Sequence, residues 1–148
     1  MIKITSLLVF TTINFFTYTQ NNFENLSCLD ENSSEIKVVM LTADWCNICR
    51  INENKIFQKK FQNILNEYDI SFFKLKENFE SPIKFNDTTY FFEKNGLNEG
   101  SHQIIKKFIK KNKINYPTFI FLNSKNQLLD IWEGFIDIID IKYIINRI

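Results

Sequence analysis

The chain has 148 residues, of which 45% are apolar and 16% aromatic, so it can build one domain with a well-filled core. Basic and acidic residues nearly balance at a formal net charge of +1, which excludes a chain that binds nucleic acid or an anionic surface through bulk charge. The scattered lysine pairs, such as Lys106 and Lys107, are interpreted as solvated helix faces.

The first 19 residues have the pattern of a secretory signal peptide. Lys3 supplies the positive start, residues 4–16 supply a mostly apolar centre, and Thr17 and Thr19 are the small residues that a peptidase reads. We therefore expect cleavage before Gln20, which leaves a periplasmic or secreted protein without a membrane segment. An uncleaved anchor is the alternative, although the apolar stretch is short for a span of about 20 residues.

Residues 20–35 form a polar N-terminal segment, with a helical turn expected at residues 23–29. This segment contains Cys28, the odd one of three cysteines. A buried or half-buried spectator thiol is the simpler interpretation of Cys28, and an extra redox or intermolecular thiol is the alternative. A lipid-anchored Cys28 is disfavoured because it lies well past the apolar centre.

A buried strand is predicted at residues 36–42, whose apolar run is typical of a parallel strand covered on both faces. Cys46 and Cys49 follow, three positions apart, where a helical pattern begins. A strand that leads into Cys-x-x-Cys at a helix N-terminus is the layout of a dithiol redox site. Free backbone N–H groups and the positive end of the helix dipole favour a thiolate at Cys46. Cys49 lies one turn further on, close enough to form a disulfide.

These features predict an enzyme, a thiol:disulfide oxidoreductase with Cys46 as the nucleophile and Cys49 as the resolving thiol. A lone Cys-x-x-Cys could also be half of a zinc site. Since disulfides persist outside the cytosol, an exported dithiol favours the handling of disulfides over cytosolic electron transfer. Asn47 and Ile48 add no positive charge between the cysteines, which favours a reductant over an oxidant.

A helix over residues 47–68 is predicted after the dithiol, because apolar residues recur there with helical spacing. Those residues are Phe57, Phe61, Ile64, Leu65 and Tyr68. A strand at residues 70–74 completes a β-α-β unit.

A small hairpin or ordered loop is expected as an insertion around residues 76–100. Pro82 breaks the chain there, and two short apolar segments flank Asn86 and Asp87, which form a turn signal. The insertion is interpreted either as a partner-selecting flap near the redox site or as a decorated edge of the fold.

A further helix is predicted over residues 101–112, with Ser101 as its cap. His102 is the only histidine, and a catalytic His–Cys pair would require it beside Cys46. We expect instead a histidine that lies at the surface or packs within the insertion.

The rest of the chain predicts an antiparallel strand pair at residues 118–122 and 127–132, followed by a closing helix over 137–147. Gly134 permits a tight turn or bulge before that helix. Together with the β-α-β unit, these elements predict an α/β fold with a central mixed sheet of about four to five strands flanked by helices.

Two motifs in this chain resemble the thioredoxin superfamily. The first is residues 43–50 around the dithiol, and the second is Tyr116-Pro117-Thr118, which looks like the family's cis-proline loop entering a strand. They lie in the family's order, about 70 residues apart, which is more specific than either motif alone. The resemblance covers residues 36–148 as a thioredoxin-like domain. It is closest to the C-terminal domain of the transmembrane thiol:disulfide interchange reductase.

The resemblance implies a cis Pro117 packed against the dithiol, with the backbone of Tyr116 pairing with an extended substrate segment. Trp45 is expected to shape the same substrate surface. Many thioredoxins carry a buried Asp six residues before the first cysteine, where this chain has Met40, which implies slower turnover. Glu53 matches a helix glutamate near the reductase dithiol and is a candidate pKa tuner, the alternative being a solvent-facing Glu.

The partners implied are disulfide-containing client proteins and an upstream electron donor, acting on a monomer that needs no cofactor and no metal. A disulfide oxidase or isomerase on the same fold is one alternative. A non-catalytic module whose dithiol holds a soft metal such as Cu(I) or Zn(II) is another, which the lack of a nearby His or Met cluster disfavours.

Overall fold

The computed structural model describes Phe23 and residues 26–96, 100–111 and 113–148. The predicted signal peptide and its cleavage point lie outside these residues. Within the described ranges, no helix has both the length and the apolar character needed to cross a bilayer.

A four-stranded mixed sheet forms the centre of the molecule. Strand β1 (Ile36–Thr42) pairs in parallel with β2 (Ile70–Lys76) and antiparallel with β7 (Thr118–Asn123), which in turn pairs antiparallel with β8 (Leu128–Glu133). All seven residues of β1 are buried, as expected for a central strand covered on both faces. The predicted α/β class and the mixed sheet are confirmed.

Three helices cover one face of the sheet: α1 (Asn47–Ile56), α2 (Lys59–Glu67) and α4 (Ile138–Arg147). Because side chains alternate along a strand, every second residue of β1 faces these helices. The buried core on this side includes both cysteines of the dithiol and the side chains of Val38, Met40, Phe72, Phe119 and Phe121.

The other face is covered by a 3-10 turn (Leu26–Cys28), the short helix α3 (Gln103–Phe108) and a hairpin of β3 (Ile83–Phe85) and β4 (Thr88–Tyr90). The alternate residues of β1 pack here, in a second core that includes Val39, Leu41, Phe73, Phe85, Phe108 and Ile120. The insertion therefore contributes to the core of the domain.

The single helix predicted over residues 47–68 is wrong, because the chain forms α1 and α2 with a break between them. Gln58 has an extended backbone (φ −68°, ψ 139°), which stops the helical hydrogen bonds. The Gln62 amide donates to the Ile56 carbonyl oxygen at 2.6 Å and so satisfies one group that the break leaves free. The apolar spacing continues through the break, so periodicity does not reveal it.

The predicted turn at Asn86 and Asp87 is confirmed, since both residues have positive φ angles of 50° and 59° and join β3 to β4. A second antiparallel strand pair, which no sequence pattern predicted, forms a hairpin of β5 (Phe92–Lys94) and β6 (Gly100–His102).

The tip of the first hairpin lies at the end of the sheet opposite the dithiol. The Asn86 Oδ1 atom accepts from Asn126 Nδ2 at 3.0 Å, and Asn126 Oδ1 accepts from Lys37 Nζ at 2.6 Å, near the start of β1. The dithiol follows the other end of β1, about 20 Å away for a strand of seven residues. The β3–β4 hairpin is therefore no flap over the redox site.

A polar network stabilises this distal end. Lys37 is fully buried, and its Nζ also donates to the Leu29 carbonyl at 3.0 Å. Burial lowers the pKa of Lys37, and the negative charge of Asp30 opposes that shift. The network ties β1 to the N-terminal segment and to the β7–β8 turn.

The predicted helix 101–112 is shorter in the structure, and its cap is His102 rather than Ser101. The His102 Nδ1 atom accepts from the Ile104 N–H at 3.4 Å, so the ring proton lies on Nε2, which donates to the Ser81 carbonyl at 3.1 Å. The expectation of a histidine that packs within the insertion is confirmed. Burial of the ring lowers the pKa of His102.

Cys28 is exposed, so its interpretation as a buried or half-buried thiol is wrong. Leu26 and Leu29 on either side of it point into the second core, and the tight 3-10 turn leaves Cys28 on the outside.

Acid should destabilise this fold through His102. Its pKa in the folded protein lies below the ordinary value of 6.5, so the unfolded chain takes up the proton first as the pH falls. The contribution of His102 to stability is complete above about pH 6.5 and is lost as the pH falls towards the lowered pKa. That loss is at most about 1.4 kcal/mol per pH unit. Urea unfolding at about pH 7.5 and about pH 5.5 measures it.

A His102→Gln variant is the control, since the chain has no other histidine. Its free energy of unfolding should change less than that of the wild type between the two pH values. Equal changes in the two proteins would contradict a role for His102.

Candidate redox site

The dithiol lies where α1 begins, at the end of the sheet to which β1 leads. Cys46 is the N-cap of α1, with an extended backbone (φ −83°, ψ 99°), and its Sγ accepts from the Cys49 N–H at 3.1 Å. The two sulfurs are bonded at 2.12 Å, with Cα atoms 5.2 Å apart. Both cysteines are buried. The structure therefore shows the oxidised state of the pair.

The geometry distinguishes the two sulfurs chemically. The Cys46 sulfur receives a backbone N–H from the first turn of α1 and lies at the positive end of that helix. The same N–H would stabilise a thiolate on Cys46 after reduction, because a charged acceptor strengthens the bond. Cys49 lies inside the first turn, and its side chain is buried in the core beside Cys46.

The proline loop lies against the dithiol loop. The Tyr116–Pro117 peptide bond is cis, and Pro117 is buried at the start of β7. The Tyr116 ring meets the Trp45 indole edge-on, with centroids 5.8 Å apart. The residue before Cys46 thus touches the residue before Pro117, although about 70 positions separate them in the chain.

A buried asparagine connects α1 to the proline loop. Asn52 Oδ1 accepts from the Ile136 N–H at 3.0 Å, and Asn52 Nδ2 donates to the Gly134 carbonyl at 3.3 Å. The Gly134 N–H in turn donates to the Pro117 carbonyl at 2.8 Å. The helix that carries the dithiol and the loop that faces it are joined through one turn of chain.

Glu53 is half-buried and forms an ion pair with Lys74 Nζ at 2.7 Å. Thr42 Oγ1 donates to the same carboxylate at 3.5 Å. Glu53 follows Cys49 by four positions, which places both on one face of α1. Met40, at the position of the missing strand acid, is fully buried in the core beside the dithiol.

The rim of the site is formed by Trp45 and the chain that leaves β2. The Trp45 indole is 70% exposed and donates to Glu77 Oε1 at 3.0 Å. Asp44 pairs with Lys76 at 2.8 Å, and the Lys76 ammonium lowers the pKa of Asp44. Burial, together with the charge of Glu77, raises the pKa of Tyr116 to about 12.

The structure thus brings together five of the six residues singled out from the sequence: Cys46, Cys49, Trp45, Tyr116 and Pro117. The sixth, Glu53, lies one helical turn beyond Cys49. His102 and Cys28 do not join this site, since their contacts lie within the insertion and beside the second core. Among the described residues, no group of three or more His, Cys, Asp or Glu side chains could hold a metal ion.

Three residues of the site were not predicted from the sequence: Asn52, Lys74 and Glu77. Their partners lie in distant segments, so no local motif marks them. A signal for Glu77 did exist, because neighbouring parallel strands end at the same edge of a sheet. The residues that follow β2 are therefore expected to lie beside the dithiol loop that follows β1.

Comparison with known proteins supports the fold but gives no close relative. No protein-family model matches the chain, and no curated protein matches it. A thioredoxin-fold protein from Helicobacter pylori has a TM-score of 0.51 at 10% identity, over 77% of this chain and 72% of its own.

Two thioredoxins are also similar in structure. The one from Malassezia sympodialis is 18% identical, with a TM-score of 0.49, over 81% of this chain and 80% of its own. A thioredoxin pre-protein from Schistosoma mansoni is 19% identical, with a TM-score of 0.49, over 82% of this chain and 86% of its own. The mixed sheet and the Helicobacter likeness give this chain the thioredoxin fold. Within that fold it carries a disulfide-bonded Cys-x-x-Cys pair.

Replacing Asn52 with alanine should destabilise the protein by about 2–4 kcal/mol, because two backbone groups around Gly134 and Ile136 lose their partner in a buried place. Urea unfolding measures the effect. Asn54→Ala, at an exposed position of the same helix, is the matched control and should change stability by no more than about 0.5 kcal/mol. Equal effects of the two substitutions would contradict the bridging role of Asn52.

Proposed function

We propose that this chain is an exported thiol:disulfide oxidoreductase that reduces disulfides of client proteins through Cys46 and Cys49. The observation that carries the proposal is the Cys46–Cys49 disulfide at the N-terminus of α1, beside the cis Pro117 loop. This arrangement can exchange a disulfide with a partner, since one sulfur meets helix N–H groups and the other lies within bonding distance.

The first step forms a mixed disulfide. The thiolate of reduced Cys46 attacks one sulfur of the client disulfide, and the other client sulfur leaves as a thiolate that takes up a proton. The Cys49 N–H that now points at Cys46 Sγ stabilises the attacking charge. An extended client segment would lie along the backbone of Tyr116, with Trp45 forming the wall beside it.

The second step releases the client. Cys49 loses its proton and attacks the Cys46 sulfur, the second client sulfur leaves, and the Cys46–Cys49 disulfide forms. Two electrons have then passed from the protein dithiol to the client, and an upstream electron donor must reduce the pair again. We assign Glu53 as the carboxylate that accepts the Cys49 proton, directly or through water, because the two residues share one face of α1.

The direction and the location of the reaction rest on the sequence. Asn47 and Ile48 are uncharged, and the nearby cation of Arg50 is exposed and bonded to Asn47, where water screens it. Weak stabilisation of the thiolate favours a reductant. The signal-like residues 1–19 support action in the periplasm or outside the cell, where disulfides persist. The finer resemblance to the interchange reductase domain stays a prediction.

A Cys49→Ser variant should accumulate a mixed disulfide between Cys46 and a client, because the resolving step is blocked. The pre-reduced variant is mixed with insulin, and the mixed-disulfide adduct is quantified on non-reducing gels and by mass spectrometry. All proteins carry Cys28→Ser, since the exposed Cys28 could form adducts of its own. Cys46→Ser in the same background is the control and should give no adduct. An adduct through Cys49 in that control would contradict the assignment of the nucleophile.

The reduction potential should separate the reductant from the oxidase or isomerase on the same fold. Equilibration with dithiothreitol and glutathione buffers, read by thiol alkylation, should give a reduction potential of about −270 mV. A reduction potential of about −120 mV would identify an oxidant. Stoichiometric metal binding at neutral pH without reduction of insulin would favour the soft-metal module instead.

A further inference from the structure

We propose that Glu77 is a positioning residue for protein clients, which acts by fixing the indole of Trp45 at the rim of the dithiol. The proposal rests on the proposed function, because it names a residue that prepares the same site. Glu77 belongs to the strap (residues 76–78), where the chain leaves β2 and the insertion begins.

Each residue of the strap contacts the end of β1 or the loop between β1 and α1. The Glu77 N–H donates to the Thr42 carbonyl at 2.8 Å, Lys76 pairs with Asp44, and Asn78 Nδ2 donates to Asp44 Oδ2 at 3.4 Å. These bonds fix the backbone of the strap without the carboxylate of Glu77. Among the described residues, the carboxylate accepts one hydrogen bond, from the Trp45 indole N–H.

An exposed indole needs such a partner to keep one orientation. Trp45 is 70% exposed, so packing alone does not fix its ring. The Tyr116 ring meets it edge-on at 5.8 Å on one side, and the Glu77 carboxylate accepts its N–H at 3.0 Å. With both contacts the indole forms a rigid wall next to Cys46, and a client loses less entropy when it docks against a wall that is already ordered.

A polypeptide client should depend on this wall, whereas a small disulfide should not. A protein substrate must lay several residues across Trp45 and the proline loop before its disulfide reaches Cys46. A small disulfide reaches the sulfur without those contacts. Loss of the Glu77 carboxylate should therefore slow the reduction of proteins selectively.

The test compares two substrates in single turnovers of the pre-reduced full chain: insulin and the small hydroxyethyl disulfide. Glu77→Leu should lower the second-order rate constant for insulin about fivefold, the scale of the net contribution of one ordinary hydrogen bond. It should leave the rate with hydroxyethyl disulfide within about twofold. Glu77→Gln should restore the insulin rate, since its amide oxygen can still accept from the indole.

Glu80→Leu is the matched control, an exposed glutamate of the same insertion whose only ion pair is with Lys94 at 3.8 Å among the described residues. It should match the wild type on both substrates. Trp45→Phe keeps an aromatic side chain but removes the indole N–H, so it should reproduce the selective loss on insulin even if Glu77→Leu folds poorly.

Two results would overturn the role of Glu77 while the wild type remains an active reductase. One is an equal insulin rate in Glu77→Leu and Glu80→Leu, and the other is an equal fall of the rate with both substrates in Glu77→Leu. A wild type that reduces neither substrate would instead overturn the proposed function, and the positioning role with it.

Discussion

A buried amide sets the spacing between the dithiol helix and the proline loop, and the chemistry of the site depends on that spacing. Asn52 bonds both Ile136 and Gly134, and Gly134 continues to Pro117. Because Asn52 is closed off from water, its partners cannot be replaced by solvent without leaving buried groups unpaired. Helix α1, the turn at Gly134 and the proline loop therefore keep a fixed relative position, and the surroundings of Cys46 stay constant.

The two ends of the sheet are stabilised by different means. At the distal end the buried ammonium of Lys37 bonds Leu29 and Asn126, so polar groups join the N-terminal segment to the β7–β8 turn. At the dithiol end the contacts are an exposed indole, a salt bridge between Asp44 and Lys76, and backbone bonds. The ammonium at the distal end is buried, whereas the indole at the dithiol end is exposed and so is open to a partner.

Sequence patterns predicted the elements whose signals are local. Cys46 at a helix start follows from a buried strand that runs into Cys-x-x-Cys, and the closing helix follows from the helical spacing of Ile138, Ile141 and Ile145. The α1–α2 break at Gln58 has no such signal, since no proline or glycine marks it. The second hairpin has strands of three residues, too short for a period, and its one hint is Gly100, where a side chain would collide with Phe92.

The acid beside the dithiol illustrates what a motif can and cannot predict. Met40 removes the strand carboxylate of many thioredoxins, and in the β1–β2 register it pairs with Lys74, whose ammonium reaches Glu53 on the helix instead. Because Glu53 and Cys49 share α1, helix geometry sets their separation, and the packing of strand against helix has little influence on it. Glu53 also keeps 19% of its side chain exposed. In the proposed mechanism, a proton taken from Cys49 would pass to solvent from Glu53 itself, so Glu53 would replace the buried acid that position 40 lacks.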